Sequence, residues 1–249
     1  MKSIDQIRNS IKSSKPSIGT WMQIPSAEIA EILSATSTYE WIVVDMEHGS
    51  FSRDQLPSIV RSISLNSVLP FVRLQTNQTS AVKDIVDCGF QGYIVPMIEE
   101  SNQLNEIYNA ITYPPNGKRG VGFSRSNQYG INFKRKVVSQ QRPFLVAMIE
   151  TKKALLNLDK ILNYEFLDAV MVGPYDLSAS LGICGNFESD IFKDAIVEIQ
   201  RNCKKYNIPF GMHLIEPSSS KLKDLILEGA RFIAFSMDSV MLYSSKPNV

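Results

Sequence analysis

Short apolar runs alternate with longer amphipathic runs along almost the whole chain. Eight short runs stand out, at residues 17–24, 41–45, 69–73, 92–97, 144–149, 167–172, 208–212 and 231–235. They are rich in β-branched residues and lack polar alternation, the pattern of strands buried on both faces in a parallel sheet. Between them, Leu56, Ile59, Val60 and Ile63 recur at helical spacing, as do Leu155, Leu158 and Leu162, and Leu222, Leu225 and Ile226. Gly89 and Gly229 fall where a helix would end and the next strand begin. Eight strands alternating with helices in 249 residues predict an α/β fold, a single (β/α)8 TIM barrel filling 1–249, rather than an open sheet. Residues 1–16 read as a polar amino-terminal segment. Residues 113–142, rich in Pro, Gly, Asn, Arg and Ser, read as an irregular insertion, expected over the barrel mouth after the fourth strand.

Composition narrows the function classes. The 26 Lys and Arg balance the 25 Asp and Glu, which excludes the polybasic footprint of a general nucleic-acid binder. No run approaches the length of a membrane span, and the polar amino terminus lacks the apolar stretch of a secretion signal. Three scattered cysteines, Cys88, Cys184 and Cys203, are too few for a disulfide framework or a thiolate zinc site. The expected location is the cytoplasm.

Barrel enzymes carry their chemistry at the carboxyl ends of the strands. Those positions here hold Asp45, Glu47 and His48 after the second run, Arg73 after the third and Glu150 after the fifth. The sixth run leads into Gly173, Pro174, Tyr175 and Asp176. Each has a plain structural reading: Asp176 could cap a helix starting at Leu177, and Arg73 could neutralise one acid. A histidine, an arginine and several acids converging on one rim are harder to explain as capping. His213 completes no motif and reads as structural, and Asp238 reads as a cap of the last helix. Glu150 and Asp176 supply hard oxygen donors suited to a divalent ion. No lysine ends a strand except the Lys152-Lys153 pair in the first turn of a helix, which disfavours a Schiff base. Glycine-rich nucleotide motifs are absent. The set suggests a metal acting as Lewis acid on a small anionic substrate, with a histidine for proton transfer.

Several motifs, in order, carry a resemblance. They are Gly19-Thr-Trp, Val43-Val-Asp45-Met-Glu47-His48, Val72-Arg73, Val95-Pro96-Met97, Tyr113-Pro-Pro-x-Gly-x-Arg-Gly-Val-Gly122, Met148-Ile-Glu150-Thr151 and Gly173-Pro174-x-Asp176-Leu-Ser178. The chain resembles the HpcH/HpaI aldolases from about residue 17 to 240. The resemblance implies a (β/α)8 barrel, divalent-metal chemistry (Mg, Mn or Co) through a pyruvate enolate, and a homo-oligomer, dimer to hexamer. It makes Glu150 and Asp176 metal ligands, His48 the general base and Arg73 the group that stabilises the enolate oxygen. Asp87 becomes the acid that orients His48, and Asp45 and Glu47 the acids near metal-bound water. The backbone amides of Tyr175 and Asp176 would hold the substrate carboxylate. Two positions depart from the family pattern: Met148 stands where Gln is usual, and Tyr175 where a small residue is usual. The last helix is expected to be short.

The implied substrates are a small 2-oxo acid and an aldehyde, with neither nucleic acid nor membrane as partner. Two alternatives stand beside the aldolase. One is an acyl-CoA lyase of the citrate lyase beta or malyl-CoA lyase type, with Lys118, Arg119 and Arg125 as a basic channel. The other is a non-catalytic metabolite-binding barrel.

Overall fold

Eight parallel strands close on themselves in sequence order. They are β1 (Ser17–Met22), β2 (Trp41–Asp45), β3 (Leu69–Arg73), β4 (Gly92–Val95), β5 (Phe144–Ile149), β6 (Ala169–Val172), β7 (Phe210–Leu214) and β8 (Phe232–Met237). The (β/α)8 expectation is met. The structure, a computed structural model, describes residues 3–36, 38–83, 85–139 and 141–246; residues 1–2, 37, 84, 140 and 247–249 of the expected segments lie outside these.

Helices α1 (Ile4–Lys12), α2 (Ala27–Ala35), α3 (Leu56–Leu65), α4 (Ser80–Lys83) and α5 (Ser101–Ile111) belong to the first half. The second half carries α6 (Lys152–Leu156), α7 (Leu158–Leu162), α8 (Pro174–Ser180), α9 (Asp190–Tyr206), α10 (Ser219–Leu227) and α11 (Asp238–Ser244). The Leu155–Leu158–Leu162 period is split between α6 and α7 at Asn157, whose side chain donates to the Glu99 carbonyl at 3.0 Å. Gly89 and Gly229 have φ of 98° and 101°, the left-handed backbone expected at those helix ends. No helix of the described residues is long and apolar enough to cross a membrane.

The strands bury both faces, so the fold has two apolar cores. Ile42, Val44, Val72, Val95 and Ile149 face the helices, while Trp41, Phe71, Phe144 and Phe232 fill the barrel interior. The inner aromatics touch in a ring, with centroids 4.3 Å apart for Trp41–Phe232 and 5.4 Å for Phe71–Phe144. Gly19 and Gly92 make this possible: a Cβ would stand 2.1 Å from the Trp41 ring and 2.6 Å from the Phe71 ring.

Two sequence expectations are corrected. The segment 1–16 is more than a polar lead-in, because Ile4, Ile7 and Ile11 lie on one face of α1 and join the inner core. Ser3 and Gln6 form its capping box. Arg8 of this helix donates through Nε to Asp168 at 2.9 Å. Arg142 binds the same fully buried carboxylate at 2.5 and 3.0 Å. The second correction concerns residues 113–142. They follow α5 and lead into β5, so they join the amino ends of the strands and not the mouth. Lys118 N–H donates to the Asn109 carbonyl at 2.7 Å and Arg119 Nη2 to the Val86 carbonyl at 3.0 Å. A chain leaving a helix re-enters a barrel at its amino-terminal face, and α5 separates this segment from β4.

Candidate active site

Asp45 ends β2 and is fully buried. Its Oδ1 accepts from Arg73 Nε at 2.8 Å and its Oδ2 from Arg73 Nη2 at 2.7 Å, a bidentate pair across neighbouring strands. Oδ1 also accepts the backbone N–H groups of Glu47 and His48, which folds residues 46–49 into a tight turn. Gly49 is required there, since a Cβ would lie 2.3 Å from the Asp45 carbonyl oxygen. Burial pushes the Asp45 carboxyl up, but hydrogen bonds and charge from Arg73, with help from Gln23 and the turn, hold it below its ordinary value. The turn brings Glu47 within 3.0 Å of Arg73 Nη1 and leaves His48 exposed.

Arg73 therefore stands between two acids, with its guanidinium carbon 5.3 Å from the Trp21 ring centre. His213 also stacks on Trp21, centroids 4.8 Å apart, and its Nε2 lies 3.1 Å from the Ser236 carbonyl oxygen. Burial pushes the His213 pKa down to about 4, with the charge of Arg73 acting in the same direction. Asp238 does less for its own helix than expected. It accepts from Ser239 N–H, but also from the backbone N–H groups of Gln23 and Ile24 in the loop after β1.

Glu150 follows β5 and is 2% exposed. Its Oε2 accepts the Met97 N–H at 2.6 Å. Met97 holds that N–H in place with a φ of 52°, and its own carbonyl accepts from Asn77 at 2.8 Å. Across β6, Gly173 leaves the room this carboxylate needs: a Cβ there would stand 2.6 Å from Oε1 and 2.8 Å from Cγ. Burial pushes the Glu150 carboxyl up to about 7, and the charges of Glu47 and Asp176 push the same way against the Met97 N–H and Arg73. Glu47 is raised too, first by burial and then by Asp45 and Asp176.

Asp176 is exposed in the first turn of α8, which begins at Pro174. It makes no cap bond, so the capping reading fails and the carboxylate is left facing Glu150 and Glu47 electrostatically. Tyr175 is exposed beside it, edge-on to Phe187 at 5.1 Å. Met148 lies two residues before Glu150, buried in the inner core.

Asp87 is separated from this group. It sits on the 3₁₀ turn Val86–Cys88 that leads into the amino end of β4, whereas His48 lies at the carboxyl end of β2. Asp87 accepts from Arg119 at 2.8 Å and from Ser124 at 3.0 Å, and no bond joins it to His48 among the described residues. The expected Asp87–His48 pair is thus not formed within the chain. Asp87 precedes its strand, and in a parallel barrel that order places it at the amino end, away from the carboxyl rim.

Among the described residues no group of three or more His, Cys, Asp or Glu converges as a metal cage. The donors that could hold an ion are the pair Glu150 and Asp176. Their fit to a hard divalent cation rests on the burial-raised Glu150, the two acids that repel it and the space that Gly173 leaves beside it.

Acids, an arginine and a histidine on the carboxyl rim of a closed (β/α)8 barrel define a barrel enzyme. Comparison with known proteins gives its kind. The chain belongs to the HpcH/HpaI aldolase/citrate lyase family, whose pattern matches residues 17–245. It is 29% identical over 239 residues to a hydroxypyruvate/pyruvate aldolase of Sagittula stellata, covering 96% of this chain and 93% of that one. It is 31% identical over 236 residues to a 2-keto-3-deoxy-L-rhamnonate aldolase of Escherichia coli, covering 94% and 87%. The crystal structure of an HpcH/HpaI aldolase from Desulfitobacterium hafniense superposes with a TM-score of 0.86 at 25% identity, covering 95% and 92%. A citrate lyase beta subunit of M. tuberculosis, solved with oxaloacetate and magnesium, is more distant, at a TM-score of 0.60 and 12% identity. The protein is thus an aldolase-type carbon–carbon lyase.

Proposed function

We propose that the protein is a divalent-metal-dependent aldolase that makes or breaks the C3–C4 bond of 4-hydroxy-2-oxo acids through a pyruvate enolate. The observation that carries this reading is the buried Glu150 carboxylate, held by the Met97 N–H, coupled electrostatically to Asp176 and Glu47, with Gly173 keeping its Oε1 side clear. Glu150 and Asp176 would hold the ion, Mg²⁺, Mn²⁺ or Co²⁺. When bound, the ion supplies Lewis-acid polarisation of the 2-oxo group.

The chain's own residues do the rest. His48, exposed on the turn after β2, takes the proton from the 4-hydroxyl in the cleavage direction. The C3–C4 bond breaks, the aldehyde leaves, and its electron pair remains as the enolate of pyruvate. Arg73, held rigidly by Asp45, carries part of the enolate charge, and protonation at C3 completes pyruvate. The backbone N–H groups of Tyr175 and Asp176 lie in the first turn of α8, where helical geometry leaves such donors free, and they suit the substrate carboxylate. Asp45 and Glu47 keep the acidic face beside the reacting oxygens. Met148 offers a thioether, not an amide, to the ketoacid.

The acyl-CoA alternative is less well supported: the citrate lyase beta subunit is more distant in structure, and of the basic residues Lys118, Arg119 and Arg125 one is already engaged. Arg119 is committed to Asp87, the Val86 carbonyl and Ser126, at the amino ends of the strands. A homo-oligomer, dimer to hexamer, fits the exposed Val121, Phe123, Tyr129 and Ile131 of the 113–142 segment. A cytoplasmic location fits three free cysteines.

The test is a panel of aldehydes offered with pyruvate and each divalent metal. A 4-hydroxy-2-oxo acid should form from at least one, and His48→Ala should lower kcat by about 10²–10⁴. Failure of every pair, or an unchanged His48→Ala, contradicts the reading.

A further inference from the structure

Arg73 is anchored by a chain of buried and half-buried polar groups that begins on the far side of the barrel seam. Asp238, 2% exposed, leaves β8 and accepts the Gln23 N–H at 3.0 and 3.1 Å and the Ile24 N–H at 2.9 Å. Gln23 follows β1, and its Nε2 donates to Asp45 Oδ2 at 3.1 Å. Asp45 in turn grips Arg73 by both oxygens. The route thus crosses the closure between β8 and β1, where the pairing register shifts between Gly19 and Trp21. Asp238 fixes the backbone at that irregular join, and Gln23 passes the position on to the Asp45–Arg73 pair.

We propose that Gln23 and Asp238 are positioning residues for the aldolase chemistry, acting on Arg73 through Asp45. The inference rests on the reading that Arg73 stabilises the enolate. Oδ2 of Asp45 accepts two donors, Arg73 Nη2 and Gln23 Nε2. With the amide donor present, Asp45 leans less on Arg73, and the guanidinium keeps charge for the substrate. Without it, the carboxylate draws Arg73 closer and its field at the enolate oxygen falls.

Gln23→Leu removes the donor and keeps the backbone N–H that Asp238 needs, so it separates the relay from the fold even where Asp238→Asn weakens the seam. The expected kcat loss is about three- to tenfold, the worth of one hydrogen bond, with KM for the ketoacid little changed. Gln23→Glu gives a signature that a merely structural role does not. Its carboxylate repels Asp45, whereas its protonated form donates as the amide does, so activity relative to wild type should recover as pH falls. An independent readout is the ¹H–¹⁵N resonance of Arg73 Nε–H, assigned by its absence in Arg73→Lys. That resonance should move in Gln23→Leu and Asp238→Asn, whether or not a substrate has been found. Silence of the wild type toward every substrate would count against the proposed function alone, and the resonance would still judge the relay. An unmoved Arg73 resonance, or wild-type kcat in Gln23→Leu, overturns the positioning role. So does a Gln23→Glu profile parallel to wild type at every pH.

Discussion

Gly173 decides where the Glu150 carboxylate can stand. Any side chain there would meet Oε1 at 2.6 Å, and β6 cannot retreat because its outer and inner faces are both packed. Gly173→Ala should therefore tilt Glu150 away from Asp176. The expected cost is about 1–3 kcal/mol, seen as roughly five- to 150-fold weaker metal activation in a metal titration. Unaltered activation would mean Glu150 is not a ligand. His213 offers a second residue-scale test. Its pKa is about 4 in the folded chain against 6.5 unfolded, so the unfolded state binds the proton first. The associated stability is complete above the unfolded pKa and is lost as pH falls toward the folded one. Wild type should lose up to about 3 kcal/mol across that window relative to His213→Phe, which keeps the stack on Trp21. Denaturant melts of both proteins across the window check this, and a pH-independent difference contradicts it.

Asp168 ties α1 to the floor of the barrel. Its fully buried carboxylate binds Arg8 of α1, Arg142 and the Leu145 N–H. Asp168→Ala leaves two arginines facing a vacant acceptor and should cost about 3–5 kcal/mol in chemical denaturation. A loss under 1 kcal/mol would show that the apolar face of α1 alone seats the helix. The strands were readable in the sequence because burial on both faces makes each a continuous apolar run. Helix α1 was not, because three isoleucines at 4, 7 and 11 are diluted by polar neighbours, although Ser3 and Gln6 carried a capping signal. The place of 113–142 turns on helix α5, whose Leu104, Ile107, Tyr108 and Ile111 recur at helical spacing between β4 and the insertion and so carry the chain back to the amino ends.

The rim residues became visible from sequence only as a set, through the rule that barrels do chemistry where strands end. Glu150, Asp176, Arg73, Asp45 and Glu47 do share one electrostatic neighbourhood. Asp87 does not join them within the chain, because it precedes β4 and so lies at the amino end, where it binds Arg119 and Ser124. Gln23 and Asp238 also follow strand ends, and Asp238 reads as a helix cap, but their link could not have been found this way: it spans 215 positions and exists only once the barrel closes. The whole molecule is then a two-core barrel that brings four carboxylates and one arginine into one electrostatic neighbourhood, a charge arrangement that a divalent ion at Glu150 and Asp176 would complete. The most direct measurement is pyruvate release from a 4-hydroxy-2-oxo acid before and after chelation. Activity should vanish in excess EDTA and return on adding Mg²⁺, Mn²⁺ or Co²⁺, with Glu150→Gln inactive throughout. Full activity in excess chelator, or a fully active Glu150→Gln, would contradict the metal-dependent aldolase.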